Sequence, residues 1–85
     1  MALTVSYFAW VRERMGVFEE VVEPPFGVAT IADLVGWLAA RDARGALAFA
    51  EPARIRAALD GTMALPDAAI GCAREVALFP PVTGG

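Results

Sequence analysis

The last nine residues, ALFPPVTGG, end in the one group of the chain with unusual chemical possibilities, the carboxylate of Gly85. Gly84 and Gly85 carry no side chains, so this end of the backbone fits a channel too narrow for any other residue. Pro80 and Pro81 fix their own φ near −65° and push Phe79 toward an extended conformation. Six residues from Pro80 at ~3.3 Å each give a reach of roughly 20 Å. A terminal carboxylate with a pKa of ~3.3–3.7 is ionised at neutral pH and is a poor electrophile. To accept sulfur or an amine it must first be activated, and attack on the α-phosphate of ATP, giving an acyl-adenylate, is the cellular route. The tail therefore reads as an acyl group on an arm, charged at one enzyme and spent at another. Gly84 and Gly85 are the expected reacting end, and Pro80, Pro81, Val82 and Thr83 the segment that docks. A pair of glycines alone carries little weight; the stiff prolines before them and the outward Phe79 argued below supply the rest.

The inventory excludes most other chemistry. There is no His, Lys, Asn or Gln, and Cys72 is the only cysteine. Metal clusters of His and Cys, Ser-His or Cys-His nucleophile pairs and disulfides within the chain are thus ruled out. Cys72, beside Gly71 and with Arg74 as its only cationic neighbour in sequence, reads as a structural or incidental thiol. No metal site and no permanently bound cofactor is expected; ATP and Mg²⁺ would belong to the activating enzyme. The net charge is −3, with seven arginines scattered among ten acids, so nucleic acid is a poor partner. No signal-peptide pattern and no uncharged run of membrane-spanning length is present, which points to a cytoplasmic protein away from membranes. Apolar residues make up 58% of the chain, more than so small a domain hides, and a protein partner is expected.

The elements that must position the tail follow from periodicity. LTVSYF alternates, with Leu3, Val5 and Tyr7 toward the core, and AWVRERMG forms a short helical turn closed by Gly16. VFEEVVE is a partly exposed strand ended by Pro24-Pro25. Thr30 and Asp33 mark the start of the main helix, which runs to about Arg41 with Ile31, Leu34, Val35 and Leu38 on one stripe. Residues 42–54 read as a connector, with Gly45 and Pro52 as breakers and Leu47 and Phe49 packing a short turn. IRAALDGTMAL gives two short strands around an Asp60-Gly61 turn, PDAAIGCA is a loop, and REVALF is the last strand. This order predicts an α+β domain over residues 1–79, a β-grasp (ubiquitin-like) fold with a mixed sheet packed against one main helix. Residues 80–85 form an extended, flexible C-terminal tail.

If Val76 and Leu78 face the helix, Phe79 points outward, as Phe8 does when Tyr7 points in. The first and last strands of a β-grasp sheet are parallel neighbours, so Phe8 and Phe79 are expected to form one exposed patch at the tail root. A one-residue slip of strand phase would instead place both in the core. Arg12, close to Phe8, is either a solvated helix charge or a partner for an acid on another protein. Trp10 and Trp37 read as packing residues.

YFAWVRERMG near the start and EVALFPPVTGG at the end resemble the small-subunit family of molybdopterin synthase, ubiquitin-like (ThiS-like) sulfur carriers of molybdenum cofactor synthesis. The resemblance covers nearly the whole chain. It implies that a ubiquitin-activating-like adenylyltransferase adenylates Gly85 and that the product becomes a thiocarboxylate. It further implies that the large synthase subunit takes in Gly84-Gly85, and that two transfers build the dithiolene of molybdopterin from cyclic pyranopterin monophosphate. The family complex is a heterotetramer in which the large subunit supplies the catalytic side chains. The chain departs from the family pattern at Cys72, Ala73 and Arg74, where an acidic turn is usual, and at ALDGT in the preceding hairpin. Three alternatives stay open: a carrier for thiamine, cysteine or tRNA thiolation, a ubiquitin-like modifier of other proteins, and a passive adaptor whose tail has no chemistry.

Overall fold

The computed structural model describes residues 2–81. The expected positions Val82, Thr83, Gly84 and Gly85 lie outside the described residues. Among the described residues five strands form one sheet in the order β2-β1-β5-β3-β4: β1 is Leu3–Tyr7, β2 Glu19–Val22, β3 Arg56–Leu59, β4 Thr62–Ala64 and β5 Glu75–Phe79. β1 and β5 are parallel and the other pairs antiparallel, so the sheet is mixed. Helix α1 spans Ala9–Met15, α2 Ile31–Arg41 and α3 Ala43–Ala48. This is the β-grasp arrangement that the element order implies.

One face of the sheet is sealed by α2. Leu3, Val5 and Tyr7 of β1 and Val76 and Leu78 of β5 meet Ile31, Leu34, Val35 and Leu38 in a single core. The helix starts where the sequence says: Thr30 accepts from the Asp33 N–H at 3.1 Å, and the Asp33 carboxylate accepts from the Thr30 N–H at 3.1 Å, a reciprocal cap. Gly16 closes α1 in the left-handed conformation at φ 78°.

The connector is more ordered than its composition suggests. Asp42 ends α2 and at once caps α3, accepting from the Gly45 N–H at 2.8 Å, and Pro52–Arg54 makes a further 3-10 turn. Gly45 therefore lies inside a helix. Phe49 is buried as expected, whereas Leu47 faces solvent. The breaker reading failed because an N-cap Asp and close packing on α2 outweigh one glycine's poor helix propensity.

Asp60 and Gly61 turn the β3–β4 hairpin with φ 46° and 85°, the left-handed pair that a two-residue turn needs. The Asp60 carboxylate also accepts from the N–H groups of Arg74 and Glu75, at 3.0 and 2.9 Å. The β3–β4 turn and the segment before β5 thus meet, and the meeting point anchors the start of β5.

A polar network closes the open side of the core. The buried Tyr7 hydroxyl donates to Glu20 Oε2 at 2.7 Å, and Arg41 donates two bonds to the same carboxylate, at 3.0 and 2.7 Å. β1, β2 and α2 are locked together by this one carboxylate. The Arg41 bonds hold the Glu20 carboxyl below its usual range against the opposing effect of partial burial, while burial and the Glu20 charge push the Tyr7 hydroxyl up. Because Glu20's pKa is depressed in the folded state, its stabilisation is complete above the unfolded value of ~4.3 and fades as pH falls through the folded value. Tyr7's pKa is raised, so its contribution is complete below ~10 and is lost above that pH. Thermal melting across pH should show a plateau falling at both ends. Glu20→Gln should lower the plateau by about 1–2 kcal/mol and flatten its acid limb; an unchanged acid limb would show that other carboxylates govern it.

Candidate functional site

The parallel register of β1 and β5 pairs Tyr7 with Leu78, so the next residues, Phe8 and Phe79, follow side by side where the tail leaves the sheet. The Phe8 N–H donates to the Leu78 carbonyl at 3.1 Å, extending the ladder one step beyond β1. Tyr7 and Leu78 are almost fully buried, while Phe8 is 50% exposed and Phe79 half-buried. The strand phase therefore sets both phenylalanines off the core. Arg56 of β3 pairs with Phe79 on its far side, and Pro80 and Pro81, half-buried, follow outside any regular element.

On this outer face Ser6, Ala77, Ala58 and Met63 stand in register across four strands. Three of the four are small, so the sheet surface beside the phenylalanines is low, with Met63 exposed at its edge. The exposed apolar groups next to the emerging tail are Phe8 and Met63, with half-buried Phe79 between the strands that carry them, a surface suited to docking on another protein.

Phe8 also caps α1 with an extended backbone, φ −132° and ψ 155°, and Ala9 reverses the chain at φ 53°. A non-glycine residue in that region stores about 1 kcal/mol of strain, tolerable at alanine because its side chain is one methyl group. The reversal lets Val11 and Met15 bury beneath α1 and leaves Arg12, Glu13 and Arg14 in solvent. Arg12 lies on Phe18, its guanidinium carbon 3.6 Å from the ring centre, and among the described residues it makes no ion pair. The structure brings Phe8, Phe79, Pro80, Pro81 and Arg12 to one end of the molecule. Beside them is a group that periodicity did not single out, Trp10 with Arg14 and Arg54 against its ring. Its sequence signal was the i, i+4 spacing of Trp10 and Arg14. Cys72 is exposed on the turn before β5, at the opposite end of that strand from the tail root. None of the described helices is long and apolar enough to cross a membrane.

The ThiS family model matches residues 5–85. The molybdopterin synthase sulfur carrier subunit of Escherichia coli is 39% identical over 83 residues, 98% of this chain and 99% of that protein. Among solved structures, a putative molybdopterin converting factor subunit 1 from Pyrococcus furiosus matches with a TM-score of 0.74 and 28% identity, over 96% of this chain and 99% of the other. Small archaeal modifier protein 1 of Haloferax volcanii matches with a TM-score of 0.69 and 26% identity, over 95% and 98% of the two chains. With the sheet order, the parallel central strands and a match that runs through the Pro-Pro and Gly-Gly positions in agreement, the chain belongs to the ThiS family.

Proposed function

We propose that this chain is the sulfur carrier subunit of a molybdopterin synthase, with the Gly85 carboxylate as the group that carries sulfur. The observation that carries this reading is the near full-length likeness to the sulfur carrier subunit of Escherichia coli. The parallel pairing that sets Phe8 beside Phe79 at the tail root supports it, because a carrier must present its arm and its docking surface on the same side.

In this reading Gly85 attacks the α-phosphate of ATP, as its Mg²⁺ complex on a ubiquitin-activating-like adenylyltransferase, and pyrophosphate leaves. A sulfide equivalent then displaces AMP from the acyl carbon, leaving a thiocarboxylate. The large synthase subunit receives the tail and supplies the catalytic side chains for sulfur transfer to cyclic pyranopterin monophosphate. Phe8, Phe79 and Arg12 meet the partner's surface, and Pro80 through Thr83 thread toward its active site. The small subunit is an essential part of the enzyme without being a catalyst alone, and it works in the cytoplasm.

The test is the intact mass of the 85-residue chain after incubation with ATP, Mg²⁺, a sulfur source and the adenylyltransferase. Activation of the acyl carbon followed by sulfur attack adds about 16 Da, the difference between sulfur and oxygen. No gain, with an adenylyltransferase shown to work on another carrier, overturns the proposal. The likeness to small archaeal modifier protein 1 favours a second reading, attachment of Gly85 to amines of other proteins. Higher-mass adducts cleaved by an isopeptidase would identify that route.

A further inference from the structure

Trp10 lies two residues past Phe8, and two guanidiniums rest against its ring, with the Arg14 carbon 4.4 Å and the Arg54 carbon 5.6 Å from the ring centre. Arg14 comes from α1 and Arg54 from the 3-10 turn before β3, so the fold brings them together. Both are exposed, and among the described residues every ion pair belongs to Arg41. Glu13 and Glu51, the acids nearest to them in sequence, are thus not at ion-pair distance from either. Arg56 spends one guanidinium nitrogen on the carbonyls of Ala53 and Ile55, at 2.9 and 3.3 Å, which fixes the turn carrying Arg54. Arg56 also pairs with Phe79, so the cationic group is continuous with the tail root.

We propose that Arg14 and Arg54, held on Trp10, form a clamp for an acidic segment of the protein that receives the tail. The inference rests on the sulfur-carrier reading and deepens it by giving the partner's surface a chemistry. A guanidinium parked on an indole ring has surrendered part of its rotamer freedom, so less is lost when a carboxylate takes its planar fork. The charge distribution favours a carboxylate on a folded protein over a polyanion. The chain carries −3 overall, which repels nucleic acid at long range, and Asp60 and Glu75 stand at the far end of β5. Asp60 and Glu75 outnumber Arg74 at the far end, and Arg12, Arg14, Arg54 and Arg56 outnumber Glu13, Glu19 and Glu51 toward the tail root, so the molecule is oriented as it approaches an acidic surface.

The experiment measures association and dissociation rates of the full chain with the large molybdopterin synthase subunit of the same organism, at ~50 and ~200 mM salt. Wild type and Arg14→Glu/Arg54→Glu are compared, with circular dichroism and melting to confirm that the variant is folded. The wild-type association rate is expected to fall several-fold with salt; charge reversal is expected to slow it at least ~10-fold at low salt and to flatten the salt dependence. A folded variant that associates as fast as wild type overturns the clamp and leaves the carrier reading standing. No binding by wild type overturns both. Trp10→Leu guards against an unfolded double variant: it keeps both charges but frees them, and is expected to raise the dissociation rate ~3–10-fold, with an unchanged rate counting against the clamp.

Discussion

Adding one alanine after Gly85 is expected to abolish sulfur loading while leaving the fold unchanged. In the proposed carrier role the Gly85 carboxylate is the group that the activating enzyme must reach, and one more residue moves it by ~3.5 Å. A misplacement of ~1 Å already costs on the order of 100-fold in an oriented reaction, so a loss of at least that size follows for adenylation. The alanine methyl adds a second obstacle, because the end of the chain that fits a narrow channel is then no longer glycine. Deleting Gly85 should act equally strongly in the opposite direction, by leaving the carboxylate short of the activated phosphate. Neither change touches the core, which is built from β1, β2, β3, β5 and the helices packed on them, so melting temperature should stay within about a degree of wild type, since surface changes away from packing cost little. Mass spectrometry of the loaded carrier and molybdopterin formed per carrier are the readouts. Full activity in the extended variant would sink the carrier chemistry and favour the adaptor reading, in which the tail is only a contact.

The sequence showed the parts of this molecule that repeat at short range. Alternation in LTVSYF and REVALF placed Leu3, Val5, Tyr7, Val76 and Leu78 inside, and the same phase put Phe8 and Phe79 outside the core. Thr30 and Asp33 announced α2, and Asp60-Gly61 announced the hairpin, because caps and turns are made by neighbouring residues. What escaped was made by residues far apart. Tyr7, Glu20 and Arg41 meet only after β2 has paired with β1 and α2 has crossed the sheet. Arg54 reaches Trp10 across half of the chain, and the contact of Asp60 with the backbone of Arg74 and Glu75 needs β3 and β5 side by side. Each is a polar or cationic contact set by topology, to which hydrophobic periodicity is blind. Arg12 is an intermediate case: its exposure was legible from helix phase, whereas its seat on Phe18 was not.

Gly45 shows the same limit and sets up the second large effect. Read locally, it breaks the pattern; in the structure it is the point where α3 approaches the last turn of α2. A Cβ built on Gly45 would overlap the Leu38 carbonyl oxygen and come within 2.8 Å of its carbon. Both are backbone atoms, so no rotamer change relieves the clash and one helix must move. Moving α3 would disturb the Asp42 cap and lift Ala48 and Phe49 out of the core, while moving α2 would pull Arg41 from Glu20. Gly45→Ala is therefore expected to cost about 3 kcal/mol or more, at the upper end of overpacking effects. At this chain length that means a melting temperature lower by roughly 12 °C or more. Gly36 provides the internal control. It lies within α2, and a Cβ there meets nothing within 4 Å, so Gly36→Ala should stabilise the helix by about 0.5–1 kcal/mol through backbone entropy alone. The same substitution in adjacent helices is thus expected to shift melting in opposite directions. Equal shifts would mean that glycine's helix propensity governs both sites, and the close approach of α3 to α2 would then have no energetic weight.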